Sequence, residues 1–246
     1  IQPLQGAQRS SLSPWWATLT LFWVCLQGAF GALTVTMKLF PAIVTLHLVG
    51  ALVLLAMLCV QVVRGSAVLP LLDMPVFLRG WVWLGASLLG VQILLGAWVS
   101  TNYAVLACAD FPLCQNRWWP EMNFSQGFEV WRHLGVGSDG MPISFAALTA
   151  IHYVHRLMAY GVLMVMLLLC WKLNACPGWR LHSRVLAILV VLQLATGLSN
   201  VVLGWPILAA LLHTGGAAGL VLTMTWLLAS VEPARAQSGR SSEGVA

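Results

Sequence analysis

The sequence predicts an all-α fold, a polytopic membrane bundle of six transmembrane helices whose first half is an incomplete copy of its second. Three observations predict it. The chain is 60% apolar and only 8% charged, against about 25% charged in a soluble domain. Six apolar runs each approach the ~20 residues that cross a bilayer, and only helices can do so with every backbone group satisfied. A shift of 166 residues lays the first two runs on the last two.

In chain order the runs are 15–35, 41–63, 81–99, 144–171, 185–203 and 206–231. The first and second are too close for anything but a tight hairpin, as are the fifth and sixth. The one long loop, 100–143, joins the third run to the fourth. The 166-residue shift carries Gln27 to Gln193, Gly31 to Gly197, His47 to His213, Gly50 to Gly216 and Ala51 to Ala217. Such internal repeats place sites at matching depth. Gln92 and Gly96 in the third run are a weaker echo. Three units follow: 1–70, an incomplete N-terminal half of two helices; 71–231, a four-helix bundle; and 232–246, a flexible polar tail. The last hairpin is preceded by another, whereas hairpin 15–63 has none before it. Truncation and genuine loss explain this equally, since the chain starts at Ile1. Residues 1–14 do not read as a signal peptide.

Loop charge sets the expected orientation. With loop 100–143 outside, Arg9, Arg64, Arg79, Lys172, Arg180, Arg184, Arg235 and Arg240 lie inside, and only Lys38, Arg117 and Arg132 outside. The net charge of +5 comes from these loops. It forms no basic cluster interleaved with aromatics, so nucleic acid is not an expected partner. Cys108 and Cys114, in the outer loop, suit a disulfide in an oxidising compartment; free thiols or a cycling pair are the alternatives. Trp118 and Trp119 read as a lid or as interfacial anchors. His133 and His182 read as solvated loop residues.

Polar groups at membrane depth mark a site. His152, His155 and Arg156 lie in the fourth run. His155 stands 17 residues before Lys172, His47 17 before Arg64 and His213 19 before Glu232. At 1.5 Å per residue all three fall ~25–28 Å from the inner boundary. Neutral imidazole is an axial ligand of haem iron, and two facing histidines make a b-type site between helices. His155 and His213 are the best pair. Gly215, Gly216, Ala217 and Ala218 leave room for a macrocycle, and Arg156 is placed to meet a propionate. His152, one turn from His155, reads as a pocket residue, although the two are interchangeable as ligands at this stage. A single membrane histidine is as often a plain interhelical hydrogen-bonding group, and that reading stays open for His47. Zinc would call for Cys or carboxylate ligands that these runs lack at this level.

His155-Arg156 on one helix, Leu212-His213-Thr214 two helices on, Leu46-His47-Leu48 in the related hairpin and the Cys-x5-Cys loop together resemble the heme A synthase family, over about residues 15–229. The resemblance implies eight helices in two four-helix bundles. It implies oxidation of a methyl group of heme O to the formyl group of heme A, for cytochrome oxidase assembly, in a bacterial inner membrane. It assigns heme b to His155 and His213 on the periplasmic side, the substrate heme O to His47, and a disulfide to Cys108 and Cys114. It gives as partners the farnesyltransferase that makes heme O, membrane lipid and an electron acceptor it does not identify, with both termini cytoplasmic. The family's other substrate-side histidine, and a glutamate three residues before it, belong to the hairpin these residues do not contain. His152 holds the corresponding place before His155 and supplies no carboxylate; if that hairpin is genuinely lost, turnover by this polypeptide alone is not expected. A non-catalytic bis-histidine cytochrome and a haem-handling assembly protein are the competing readings. A transporter is more distant, since buried carboxylates for ion coupling are missing.

Overall fold

A computed structural model describes residues 13–66 and 68–232. The expected tail at 233–246 and the charges at Arg9, Arg235 and Arg240 lie outside the described residues. Among the described residues, six helices are long and apolar enough to cross a membrane: α1 Trp15–Thr36, α2 Pro41–Gly65, α3 Val76–Thr101, α4 Phe145–Asn174, α5 Arg180–Val202 and α6 Ile207–Ala229. No strand occurs among the described residues, only isolated bridges.

The apolar runs locate all six of these long helices and set most ends within a turn; a short helix in the long loop, Phe124–Gly127, lies outside them. The starts of α3 and α5 are the exceptions, each five residues earlier than the run. Hydropathy marks bilayer thickness, whereas a helix continues while its backbone is satisfied. Arg79, Arg180, His182 and Arg184 therefore ride on helical turns beyond the apolar runs. Pro41 opens α2, where its missing N–H is no loss. The Ser144 side chain caps α4 by accepting from the Ala147 N–H.

The two tight hairpins share one backbone solution. Lys38 and Leu39 are both left-handed, as are Gly204 and Trp205. The 166-residue shift carries one pair onto the other. Leu39 N–H donates to Thr34 O at 2.8 Å, and Trp205 N–H donates to Asn200 O at 3.0 Å. The repeat thus reaches places where the side chains differ. Tyr103, after α3, takes the same left-handed conformation. There the chain departs into the long loop instead of turning directly into its partner helix.

Helices α3, α4, α5 and α6 form a ring in that order. The helices on its diagonals, α4 with α6 and α3 with α5, never bring Cα atoms within 8 Å. Hairpin α1–α2 leans on the ring through α2, which packs on α3 and α6, while α1 packs only on α2. At the inner end, Leu72 exchanges backbone hydrogen bonds with Ser230 and Glu232, and Arg64 donates to Val231 O at 3.0 Å.

Two packed cores result, and the gap between them matters. The larger fills the inner half of the ring, from Leu173, Leu186 and Leu227 up to Leu89, Val190 and Leu220. The smaller lies under the outer loop, around Phe40, Ile43, Trp98 and Ile151. The level between them carries glutamines, histidines, glycines and alanines.

Candidate functional site

Each hairpin builds the same device at that level. The first helix carries Gln-x3-Gly, which places both residues on one face one turn apart. The second carries a histidine whose ring lies against that glycine. A Cβ on Gly31 would stand 3.3 Å from the His47 Cε1, on Gly96 2.9 Å from the His155 Cε1, and on Gly197 3.1 Å from the His213 Cε1. Glycine lets each imidazole lie flush on the first helix; a methyl would crowd it, most tightly at Gly96. Each of these glycines lies five residues before the last residue of its helix, so the three seats share one depth.

The glutamines hold the second helix. Gln193 Nε2 donates to His213 O at 2.8 Å. Gln92 Nε2 donates to His155 O at 3.2 Å and lies 3.1 Å from the ring Nδ1. The amides of Gln27 and Gln193 press on Gly50 and Gly216, where any Cβ would collide. Trp23 Nε1 donates to Gly50 O at 2.8 Å, completing the first hairpin.

The three imidazoles are not equally prepared. The Thr196 hydroxyl donates its one proton to Leu192 O at 2.7 Å. Its oxygen therefore accepts from His213 Nδ1, 3.0 Å away. This fixes the proton on Nδ1 and leaves the Nε2 lone pair to face a metal. The His155 ring rests on the Gln92 amide, which reaches both ring nitrogens, so ligation there displaces an existing contact. His47 Nδ1 is buried with no partner among the described residues. His155 and His213 stand on the diagonal helices α4 and α6, each packed against both α3 and α5.

The donor set suits a haem. Two imidazoles come from helices on a diagonal, at a level where large core side chains give way to Gly96, Gly197, Gly216, Ala217 and Ala218. One of the imidazoles has its tautomer set for ligation. No three His, Cys, Asp or Glu side chains among the described residues converge as a compact metal cluster would require.

The neighbours of His155 face the outer loop instead. His152 is buried and its Nδ1 donates to Ala104 O at 3.1 Å. Arg156 is buried as well, and its guanidinium donates to Leu113 O at 2.7 Å and Cys108 O at 3.0 Å. The Tyr153 hydroxyl donates to Trp118 O. Gln115 Nε2 donates to Thr149 Oγ1 at 2.7 Å. The outer turns of α4 are thus knitted to the loop. Cys108 and Cys114 are bonded, with Cα atoms 4.7 Å apart, and both are fully buried against Tyr153 and Met122. Trp118 and Trp119 are exposed. His133 is exposed beside Phe40. His182, expected to be solvated, is half-buried between Trp179 and Trp226, because α5 begins early enough to pack it there.

Several contributors escaped sequence reasoning. Gln92, Gln193 and Thr196 act on histidines, and the three seat glycines were visible only as repeat markers. The recurrence of Gln-x3-Gly three times was the available signal.

Fold and site together define a multi-pass helical membrane protein of repeated hairpins, with histidines from different spans gathered at one level. The cytochrome oxidase assembly protein family (COX15-CtaA) matches residues 4–225, and this chain belongs to that family. It is 34% identical over 217 residues to the heme A synthase of Shewanella oneidensis, covering 84% of this chain and 64% of that protein. It is 28% identical over 209 residues to the heme A synthase of Halalkalibacterium halodurans, covering 80% and 61%. Against the heme A synthase of Methylobacterium radiotolerans it is 29% identical over 237 residues, covering 90% and 62%. The chain therefore spans less than two thirds of the length of these relatives.

Proposed function

We propose that this protein acts as a membrane haem oxidoreductase of the heme A synthase type, oxidising a methyl group of heme O to the formyl group of heme A for cytochrome oxidase assembly. The observation that carries the reading is the pair His155 and His213 on diagonal helices, in a band between two packed cores. In this reading they hold heme b, and His47 holds the substrate heme O. The cofactor, when bound, supplies the electron-transfer chemistry that no side chain provides.

The chain's own residues bind, orient and seal. Thr196 keeps the proton on His213 Nδ1, so Nε2 would be the nitrogen that holds the group. Gln92 and Gln193 fix the height of α4 and α6 against α3 and α5. The seat glycines set the ring planes. The apolar core below excludes water from the inner side, and the disulfide loop, hung from His152, Tyr153 and Arg156, covers the outer side. The protein then sits in a bacterial inner membrane with the histidine level toward the periplasm and both termini cytoplasmic. It receives heme O from the farnesyltransferase that makes it and passes electrons to an acceptor. The bias of loop arginines and lysines supports this orientation.

Co-expression with a heme O source, followed by pyridine haemochrome analysis of extracted haem, tests the activity. Heme A in the extract is the expected result. Heme b alone, with an intact low-spin spectrum, would favour a non-catalytic bis-histidine cytochrome. Substituting His155 or His213 should abolish the low-spin heme b spectrum; an unchanged spectrum overturns the site.

A further inference from the structure

Arg132 is the most deeply buried cation of the outer loop, only 3% exposed. Its Nη2 donates to Asn102 Oδ1 at 2.5 Å. Its guanidinium carbon stands 5.9 Å over the Trp98 ring. Its Nε and Nη1 are also buried, and among the described residues neither meets an acceptor. Burial lowers this guanidinium from the ordinary arginine value, and the nearby charge of Glu129 offsets part of that. Glu129 itself accepts from the Ser138 N–H at 3.2 Å and makes no ion pair with Arg132. A buried cation with two unsatisfied donors costs several kcal/mol unless an anion meets it.

The surroundings say which anion. Trp131 and His133, on either side of Arg132 in sequence, both pack on Phe40, with ring centroids 4.7 and 5.4 Å away. Phe40 caps α2, seven residues before His47, which is ~10 Å along the helix. Thr45, two residues before His47, bonds Thr101 of α3 at 3.2 Å, beside the Asn102 that orients the guanidinium. An N–H on Nε or on Nη1 can meet one carboxylate oxygen in a charge-assisted hydrogen bond. A haem held on His47 would bring carboxylates, its two propionates, to this part of the fold.

We propose that Arg132 receives a propionate carboxylate of the haem seated on His47, with Asn102 and Trp98 holding the guanidinium in place. This rests on the haem reading above and assigns the outer anchor of the substrate ring to the loop. Arg156, by contrast, has spent donors on the carbonyls of Cys108 and Leu113.

The test is optical titration of the full chain in lipid nanodiscs with protohaem and with protohaem dimethyl ester, whose propionates carry no charge. It is run on wild type, Arg132→Gln, Arg132→Lys and His47→Ala, each also carrying His213→Ala so that only the His47 seat is read. Arg132→Gln should weaken protohaem by about tenfold or more and leave the ester unchanged; Arg132→Lys should recover part of the loss. The ester alone, on unmutated Arg132, should bind as weakly as protohaem binds Arg132→Gln, which keeps the test sound if that variant folds poorly. Equal losses for both ligands, or none, overturn the proposal. So does the absence of any His47-dependent haem. These outcomes leave the His155–His213 reading standing, because its own failure shows separately, as an unchanged low-spin spectrum when those two residues are replaced.

Discussion

Replacing Gly96 by alanine tests the seat of His155 directly. The new methyl would stand 2.9 Å from the His155 Cε1, where carbon atoms prefer about 3.5–4.0 Å. The ring must yield by roughly 0.5 Å or more. With no ligand bound the imidazole can swing away cheaply. With iron bound it is pinned, so the overlap weighs on the complex. Overpacking of this kind costs ~1–3 kcal/mol, or about 5–150-fold in affinity. The assay is titration of the apoprotein with protohaem, read in the visible spectrum. Gly197→Ala, with 3.1 Å to His213 Cε1, should lose less. Gly31→Ala, with 3.3 Å to His47 Cε1, should leave the His155–His213 haem unchanged. Gly90→Ala on the same helix α3 meets nothing within 4 Å. It should keep full affinity and gain up to ~1 kcal/mol of helix stability. If Gly96→Ala and Gly90→Ala bind haem equally well, the seat does not work as described.

Thr196→Val removes the acceptor for His213 Nδ1; haem affinity should fall about tenfold or more, and the midpoint potential in a redox titration should move positive as the ligand becomes less basic. His152→Ala strands the Ala104 carbonyl and should destabilise the outer loop by ~1–3 kcal/mol, visible as faster proteolysis between 104 and 122 with the low-spin spectrum retained; loss of that spectrum would make His152 the ligand. Cys114→Ser opens the bond to Cys108, six residues away, and should cost ~2–3 kcal/mol of loop stability in a thermal melt. Leu39→Gly relieves a left-handed leucine and should raise the melting temperature, by relief of ~1 kcal/mol.

The sequence made the helices and the histidine level legible for a simple reason. Bilayer thickness imposes run length, and rare polar residues within a run stand out against it. The pairing of Gln27 with Gln193 and of His47 with His213 was equally readable, because both hairpins keep spacing as well as identity. The third hairpin hid its kinship. Gln92 and His155 are 63 residues apart, whereas Gln193 and His213 are 20 apart, so no fixed period relates them. Thr196 could not be singled out, since its importance lies in where its proton goes. Arg132 looked like an ordinary loop charge, because burial by distant residues such as Asn102 and Trp98 leaves no local signature. Arg156 was read from its depth as a propionate partner; that its guanidinium also donates to two loop carbonyls is something depth alone does not reveal.

His155 shares its helix with every strut of the outer loop. Thr149, His152, Tyr153 and Arg156 occupy the two turns around it, and each grips a loop residue. A few degrees of roll in α4, such as an imidazole needs to exchange the Gln92 amide for a metal, would swing all of these handles together. The disulfide stiffens what they pull on. In the proposed reading, loading of the ring and posture of the loop cover are mechanically geared, and a fluorophore beside Trp118 would register the one through the other.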